Sequence, residues 1–382
     1  MKNLCLILLA FVFFNCGESE EEPRTLFRIS IEASNGVRLA IGESTVLTAL
    51  GFDQLGEPFN IESVNWTASN STVTVDGTGR VTAQSVGVSI ITAESQDVLE
   101  TIEIRVFDDK APRTEIYVSD AGRPVGNPPF QILKYDENGE NPEVFISNQN
   151  VNGPQEILFL EDQGVVLISN IGSGRIARHD ANTGALIDNF ASNINGPTRI
   201  KIGPDGLLYV LQWNGTNPVL RYELDGTFVD AFTSIGINQS IGLAWDTDGN
   251  LYVSSFNNGS GGFVRKFDIE GNDLGLFVTS NSLQGPTNIW FDFSGDLFVL
   301  DWQAGLVKQF DSEGKFIANV ITALSLPEGV TALPNGNILI GNGGNGSVKM
   351  YSSTFTFIKD LVAPGAGGLL TPNGVTVRTV NQ

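Results

Sequence analysis

The chain has 382 residues, of which 41% are apolar and 17% charged, and its formal net charge is −21. That length exceeds what one hydrophobic core usually serves, the apolar share is too high for a disordered polymer, and the excess of carboxylates disfavours nucleic acid and anionic lipid headgroups as partners. With 43 glycines and no long stretch of apolar residues at helical spacing, the composition predicts an all-β chain of short strands and tight turns.

At the N-terminus Lys2 precedes an apolar run from Leu4 to Phe14. The run is too short to span a bilayer but has the length of a signal-peptide core, so residues 1–15 are expected to be cleaved. Phe13-Phe14-Asn15-Cys16 resembles a lipobox, the motif whose cysteine is diacylated and becomes the first residue of the mature protein. Cys5 would leave with the signal and Cys16 would remain as the single thiol, which rules out a disulfide. The alternative is an ordinary secretory signal with an incidental Cys16. Residues 16–26 contain the acidic stretch Glu18-Ser19-Glu20-Glu21-Glu22 and read as a solvated tether. The stretch resembles the Ser-plus-acidic signal that sends some lipoproteins to the outer face of the outer membrane. The implied location is an outer-membrane lipoprotein displayed at the cell surface, held to the membrane by acyl chains.

Residues 27–108 alternate in polarity as short strands do, for example Phe27-Arg28-Ile29-Ser30-Ile31 and Glu100 to Val106. Trp66-Thr67-Ala68-Ser69-Asn70, Val73-Thr74-Val75-Asp76, Gly79-Arg80-Val81-Thr82-Ala83 and Gly87 closely resemble the group 2 bacterial Ig-like domain. That resemblance implies an Ig-like β-sandwich, in which Trp66 supplies a large core ring and Gly79 the positive φ of a tight reversal. A spacer role is expected rather than a binding one, because the loops show no exposed aromatic cluster.

Residues 113–382 form the second domain, in which a pattern returns every 41 to 46 residues from about Asn152 to the end. Units open with Gly153-Pro154, Gly196-Pro197, Gly285-Pro286, Leu326-Pro327 and Thr371-Pro372, while the unit at Gln239-Ser240 lacks the proline. An apolar strand, a turn such as Asp205-Gly206 or Asp248-Gly249, a Leu-Tyr-Val strand and an Asp-x-x-Gly turn follow. Four strands per repeat of this length is the signature of propeller blades, and six are counted. The strand Val375-Thr376-Val377 has no hairpin partner after it, and the strand Glu115 to Val118 has none before it; pairing the two would close the ring. The wording of the repeat resembles NHL-repeat propellers. The predicted fold is thus an Ig-like β-sandwich followed by a six-bladed β-propeller closed by the C-terminal strand.

Strand direction assigns the blade openings and the second-to-third strand loops to one face of the ring, called face one. Around its channel mouth are expected Gln155, Glu156, Thr198, Arg199, Ser240, Asn288, Glu328 and Asn373, with the aromatic platforms Trp213 and Trp302 beyond. Polar rings with aromatic platforms suit a glycan, peptide or protein ligand. The competing reading is that the polar residues only hydrate the channel and that Trp213 and Trp302 pack between blades.

His179 is the one histidine, and it sits beside an outer turn, which argues against a histidine-based zinc lyase or a Ser-His-Asp hydrolase. No catalytic residue is assigned. The enzymatic alternative is a metal-dependent hydrolase resembling the gluconolactonase family, with Glu156, Asn288 and Asn373 as ligands and calcium as the metal. Otherwise no cofactor is expected, and the protein is expected to be a monomer that binds no nucleic acid.

Overall fold

The computed structural model describes residues 23–108, 112–122 and 126–380. The segment expected to be a signal peptide and Cys16 lie outside the described residues. Two compact units part between Ala111 and Pro112. No helix among the described residues is long and apolar enough to cross a membrane.

The N-terminal unit is a β-sandwich. One sheet runs, in spatial order, Leu26–Ala33, Ser44–Asp53, Arg80–Ala83, Val73–Val75, with Pro58–Phe59 paired to Ser44–Asp53. The other runs Arg38–Ala40, Val98–Phe107, Gly87–Ser95, Asn65–Ala68. Strand alternation turns Leu47, Val81, Ile91 and Ile104 inward to form the core, against which the half-buried Trp66 packs. Gly79 adopts φ +80, and a Cβ there would strike the Leu47 carbonyl oxygen, so both conformation and space demand glycine. The first strand begins at Leu26, within the stretch expected to be tether, because Arg24 lies 2.6 Å from the buried Asp53 carboxylate and ties that stretch to the sheet.

In the C-terminal unit every repeat becomes one four-stranded antiparallel sheet, and six such sheets form the blades. Blade 2 comprises Pro154–Leu160, Val165–Asn170, Arg175–Asp180 and Leu186–Ala191, from the innermost strand outward. The innermost strands of blades 3 to 6 are Pro197–Ile202, Ser240–Trp245, Pro286–Phe291 and Pro327–Ala332. Blade 1 takes its innermost strand, Pro372–Val380, from the far end of the chain, paired with Arg113–Asp120 in the register Ile116 to Val377 and Val118 to Val375. The six-bladed β-propeller expected from the repeat is therefore formed, and its closure leaves no blade without an inner strand.

Apolar layers between blades supply the cohesion. Leu167, Ile176, Ile200 and Val210 fill the gap between blades 2 and 3, and Leu133, Leu339, Val362 and Val375 lie where blades 6 and 1 meet. At two glycines of the inner strands the neighbouring blade approaches too closely for a side chain. A Cβ at Gly242 would strike the Thr287 carbonyl oxygen, and one at Gly374 would lie 2.5 Å from the Gln155 carbonyl oxygen.

Candidate functional site

The second strand of each blade ends at face one on a polar residue that holds the connection entering the neighbouring inner strand. Asp120 accepts the amides of Leu370 and Thr371, Asn170 that of Asn152, Asp301 those of Gln284 and Gly285, and Asn342 that of Ser325. The next residue in every blade donates its own amide to the residue before the inner strand or at its start: Ala121 to Thr371, Ile171 to Gly153, Trp213 to Gly196, Phe256 to Gln239, Trp302 to Gly285 and Gly343 to Leu326. These equivalent positions are presented at face one, and in the three consecutive blades 3, 4 and 5 they are aromatic.

The three rings touch in series. The Trp213 and Phe256 centroids are 5.4 Å apart with the rings tilted by 39°, and the Phe256 and Trp302 centroids are 5.7 Å apart, edge to face. All three are half-buried, so the strip is packed enough to hold its shape and open enough to be touched. Amide side chains flank it: Gln239 Nε2 donates to Asn258 Oδ1 at 2.9 Å, and Asn195 Nδ2 to Asn217 Oδ1 at 3.1 Å.

The described loops of face one are also uncharged, the Asp120 and Asp301 carboxylates being buried at the strand ends. Among the described residues, the second-to-third strand loops and the connections into the inner strands consist of Gly, Ser, Thr, Asn, Gln, Pro and apolar residues, with no Asp, Glu, Lys or Arg in any of the six blades. The opposite face carries the carboxylates. There Asp246, Asp268, Asp292 and Asp311 each accept the backbone amides two and four positions on and so lock the hairpin turns.

The polar ring expected at the channel mouth is largely engaged between blades. Arg199 is fully buried and crosses the axis. Its Nη1 donates to the Gln155 carbonyl at 2.5 Å, and its Nη2 to Glu328 Oε1 at 3.0 Å and to the Asn373 carbonyl at 2.8 Å. Its Nε lies 3.6 Å from Glu156 Oε2. One side chain from blade 3 therefore engages blades 1, 2 and 6. Thr198 donates to the Ser240 carbonyl, the Ser240 hydroxyl bridges to Gln212, and Asn288 donates to the Glu328 carbonyl at 2.7 Å. Arg199 Nε and Asn373 Oδ1 are buried without a hydrogen-bond partner among the described residues.

Burial raises the Glu156 carboxyl above the ordinary range, against the pull of Arg199 and Lys201. Glu328 is pushed up to about 7 by burial, opposed by its ion pair with Arg199 and raised further by Glu156. Lys201 is driven down by burial, with Glu156 acting the other way.

Glu156, Asn288 and Asn373 do not suit a divalent cation. A metal among them would share its space with the Arg199 guanidinium, whose fixed positive charge repels it. Among the described residues no group of three or more His, Cys, Asp or Glu side chains could hold a metal ion. His179 is buried in the third strand of blade 2 with Nδ1 2.9 Å from the Gly184 carbonyl, an outer-turn position as expected.

Below Arg199, on the side away from face one, the channel widens into a cavity of about 540 Å³. Glu156, Lys201, Asn288, Thr331 and Thr376 give its wall polar groups, set among Leu158, Ile200 and Val330. The sequence reading missed Lys201. It follows Arg199 by two positions on the same strand, and that alternation turns both toward the axis.

No protein-family model matches the chain, and no curated protein matches it. Among solved structures, one described as a nidogen/laminin complex aligns at 17% identity and a TM-score of 0.56, covering 71% of this chain and 99% of that one. A protein of unknown function from Bacteroides caccae aligns at 16% identity and a TM-score of 0.54, covering 70% and 99%. A putative gluconolactonase aligns at 17% identity over 65% and 81% with a TM-score of 0.43, a likeness too loose to bear on function. The first two likenesses establish the β-propeller fold alone.

Proposed function

We propose that the chain is a secreted lipoprotein, anchored through Cys16 and displayed at the cell surface, whose propeller binds a neutral extracellular glycan on face one, with the sandwich as an Ig-like spacer. The observation that carries the reading is the uncharged face. In a chain of net charge −21, six blades keep every ionisable side chain out of the described face-one loops while three of them present contiguous aromatic rings. Sugar rings stack their C–H faces on aromatic planes, and amides satisfy their hydroxyls without the desolvation cost of burying a charge. A cationic peptide would have no carboxylate there to meet it. The Arg199 closure favours the strip over the axis as the place where a long ligand lies.

A glycan array probed with the intact protein and with Trp213→Ala and Trp302→Ala tests the binding half of the reading. Binding that both substitutions abolish supports it; retained binding, or capture of peptides alone, overturns it. Metabolic labelling with a palmitate analogue tests the anchor: label lost in Cys16→Ser supports lipidation, and an unlabelled wild-type protein refutes it.

A further inference from the structure

The channel cavity beneath Arg199 is a second candidate site, separate from the aromatic strip. Its volume of about 540 Å³ lies within the usual range for small-molecule pockets. Its wall brings a primary amine, Lys201, and a carboxyl group, Glu156, into one cavity whose other lining combines aliphatic side chains with Asn288, three threonines and the Glu161–Arg378 ion pair. Arg199 closes it toward face one through its bonds to Gln155, Glu328 and Asn373. Lys201 Nζ is oriented by a hydrogen bond of 2.9 Å to the Leu243 carbonyl, which uses one of its hydrogens, and the side chain is half-buried and reachable from the cavity.

We propose that this cavity takes a small aldehyde or keto compound and that Lys201 captures it covalently as an imine. The Nζ lone pair adds to the carbonyl carbon, the carbonyl π pair passes to oxygen, and a carbinolamine forms. Loss of the former carbonyl oxygen with the two amine hydrogens, as one water molecule, then breaks the C–O bond and forms C=N. No oxidant or reductant is consumed. Glu156 is placed as the acid that protonates the departing hydroxyl and takes a proton back from nitrogen.

The ionisation of the pair agrees with these roles. Burial lowers the lysine and raises the glutamic acid, so both groups are shifted toward their neutral forms, the free amine and the protonated carboxyl. Arg199 adds a neighbouring positive charge that further disfavours a protonated Lys201. Lysines exposed on outer strands and turns, such as Lys315 and Lys359, have no such enclosure.

The test uses the intact protein, glyoxylate as the carbonyl probe and cyanoborohydride to reduce any imine to a stable secondary amine, at pH 7. Peptide mapping by mass spectrometry is expected to find one saturable adduct on Lys201 at glyoxylate concentrations that leave Lys315 and Lys359 unmodified, and Lys201→Arg is expected to lose it. The wild-type map decides the proposal even if that variant fails to fold. Adducts spread over exposed lysines with no preference for Lys201, or no adduct on Lys201 at all, overturn it.

Discussion

Arg199 Nη2 and Glu328 Oε1 stand 3.0 Å apart although 129 positions of sequence separate the residues, so an ion pair between blades 3 and 6 spans the propeller axis. Arg199 Nη2 also donates to the Asn373 carbonyl, and Nη1 donates to the Gln155 carbonyl. Arg199→Met removes the one cation that, among the described residues, ion-pairs with both Glu156 and Glu328, and leaves two buried carboxyl groups with Lys201 alone still drawing on Glu156. The expected loss is about 3–5 kcal/mol at pH 8, where both carboxyls are most ionised. Urea denaturation measures it, and a loss below 1 kcal/mol would show that the bracket is not a structural element.

Glu328 gives stability a pH dependence of unusual sign. Its carboxyl titrates near 7 in the folded protein and near 4.5 in the unfolded chain, so the folded state holds a proton that the unfolded state has lost across that window. The contribution is fully present below pH 4.5 and disappears as pH rises through 7, about 3 kcal/mol in all. His179 acts the other way: burial lowers it, and stability is lost as pH falls below 6.5 because only the unfolded chain takes the proton. Subtracting the stability curve of Glu328→Gln from that of the wild type isolates the first effect. The difference should shrink toward pH 4.5 and grow in the variant's favour toward pH 8, and a flat difference would contradict the assignment.

Close approach of neighbouring inner strands makes Gly242 an exacting position. A methyl group there meets the Thr287 carbonyl oxygen and the Ser254 hydroxyl, both fixed by the bond they make to each other at 2.6 Å. Gly242→Ala is expected to cost about 1–3 kcal/mol through overpacking. Gly336→Ala, at a turn where a Cβ meets nothing closer than 3.8 Å but φ is +83, is expected to cost less and by backbone strain alone. Paired thermal melts of the two variants compare the mechanisms.

Chain closure makes a third kind of demand. Deleting residues from Pro372 onward removes the inner strand of blade 1 together with Val375, part of the layer where blades 6 and 1 meet. The strand Arg113–Asp120 would then present an unpaired edge on which Ile116, Tyr117 and Val118 lose their cover. The truncated protein is expected to aggregate on size-exclusion chromatography instead of eluting as a compact species.

The blades, their number and the closing strand were legible in the sequence because each depends on local periodicity: alternation along a strand, turn residues between strands, and a repeat of fixed length. Trp213 and Trp302 were legible as face-one residues for the same reason, since strand direction alone fixes the face. The fate of Arg199 was not. A polar side chain at an inner-strand start reads the same whether it meets a ligand or reaches Glu328 and Asn373, and only the assembled ring decides between them. The Lys201 cavity escaped because its enclosure depends on that same closure by Arg199. The uncharged face was present in the loop composition but became a property of one surface only when the loops were sorted by face.

That surface leads to the last prediction, which concerns salt. A ligand bound on face one meets aromatic rings and amides and no fixed charge among the described loops, so its dissociation constant should be nearly constant between low and high ionic strength, where the Debye length falls from about 30 Å to about 3 Å. A ligand held on the opposite face would lie among the turn carboxylates of Asp246, Asp268, Asp292 and Asp311 and would have to be cationic. Its affinity would fall steeply with added salt as those charges are screened. Calorimetric titration of any glycan that the intact protein binds on the array, repeated across that range of sodium chloride, separates the two faces without a further structure. An affinity unchanged by salt places binding on the aromatic strip, and one that weakens more than tenfold assigns it to the acidic face and removes the physical basis for a neutral ligand.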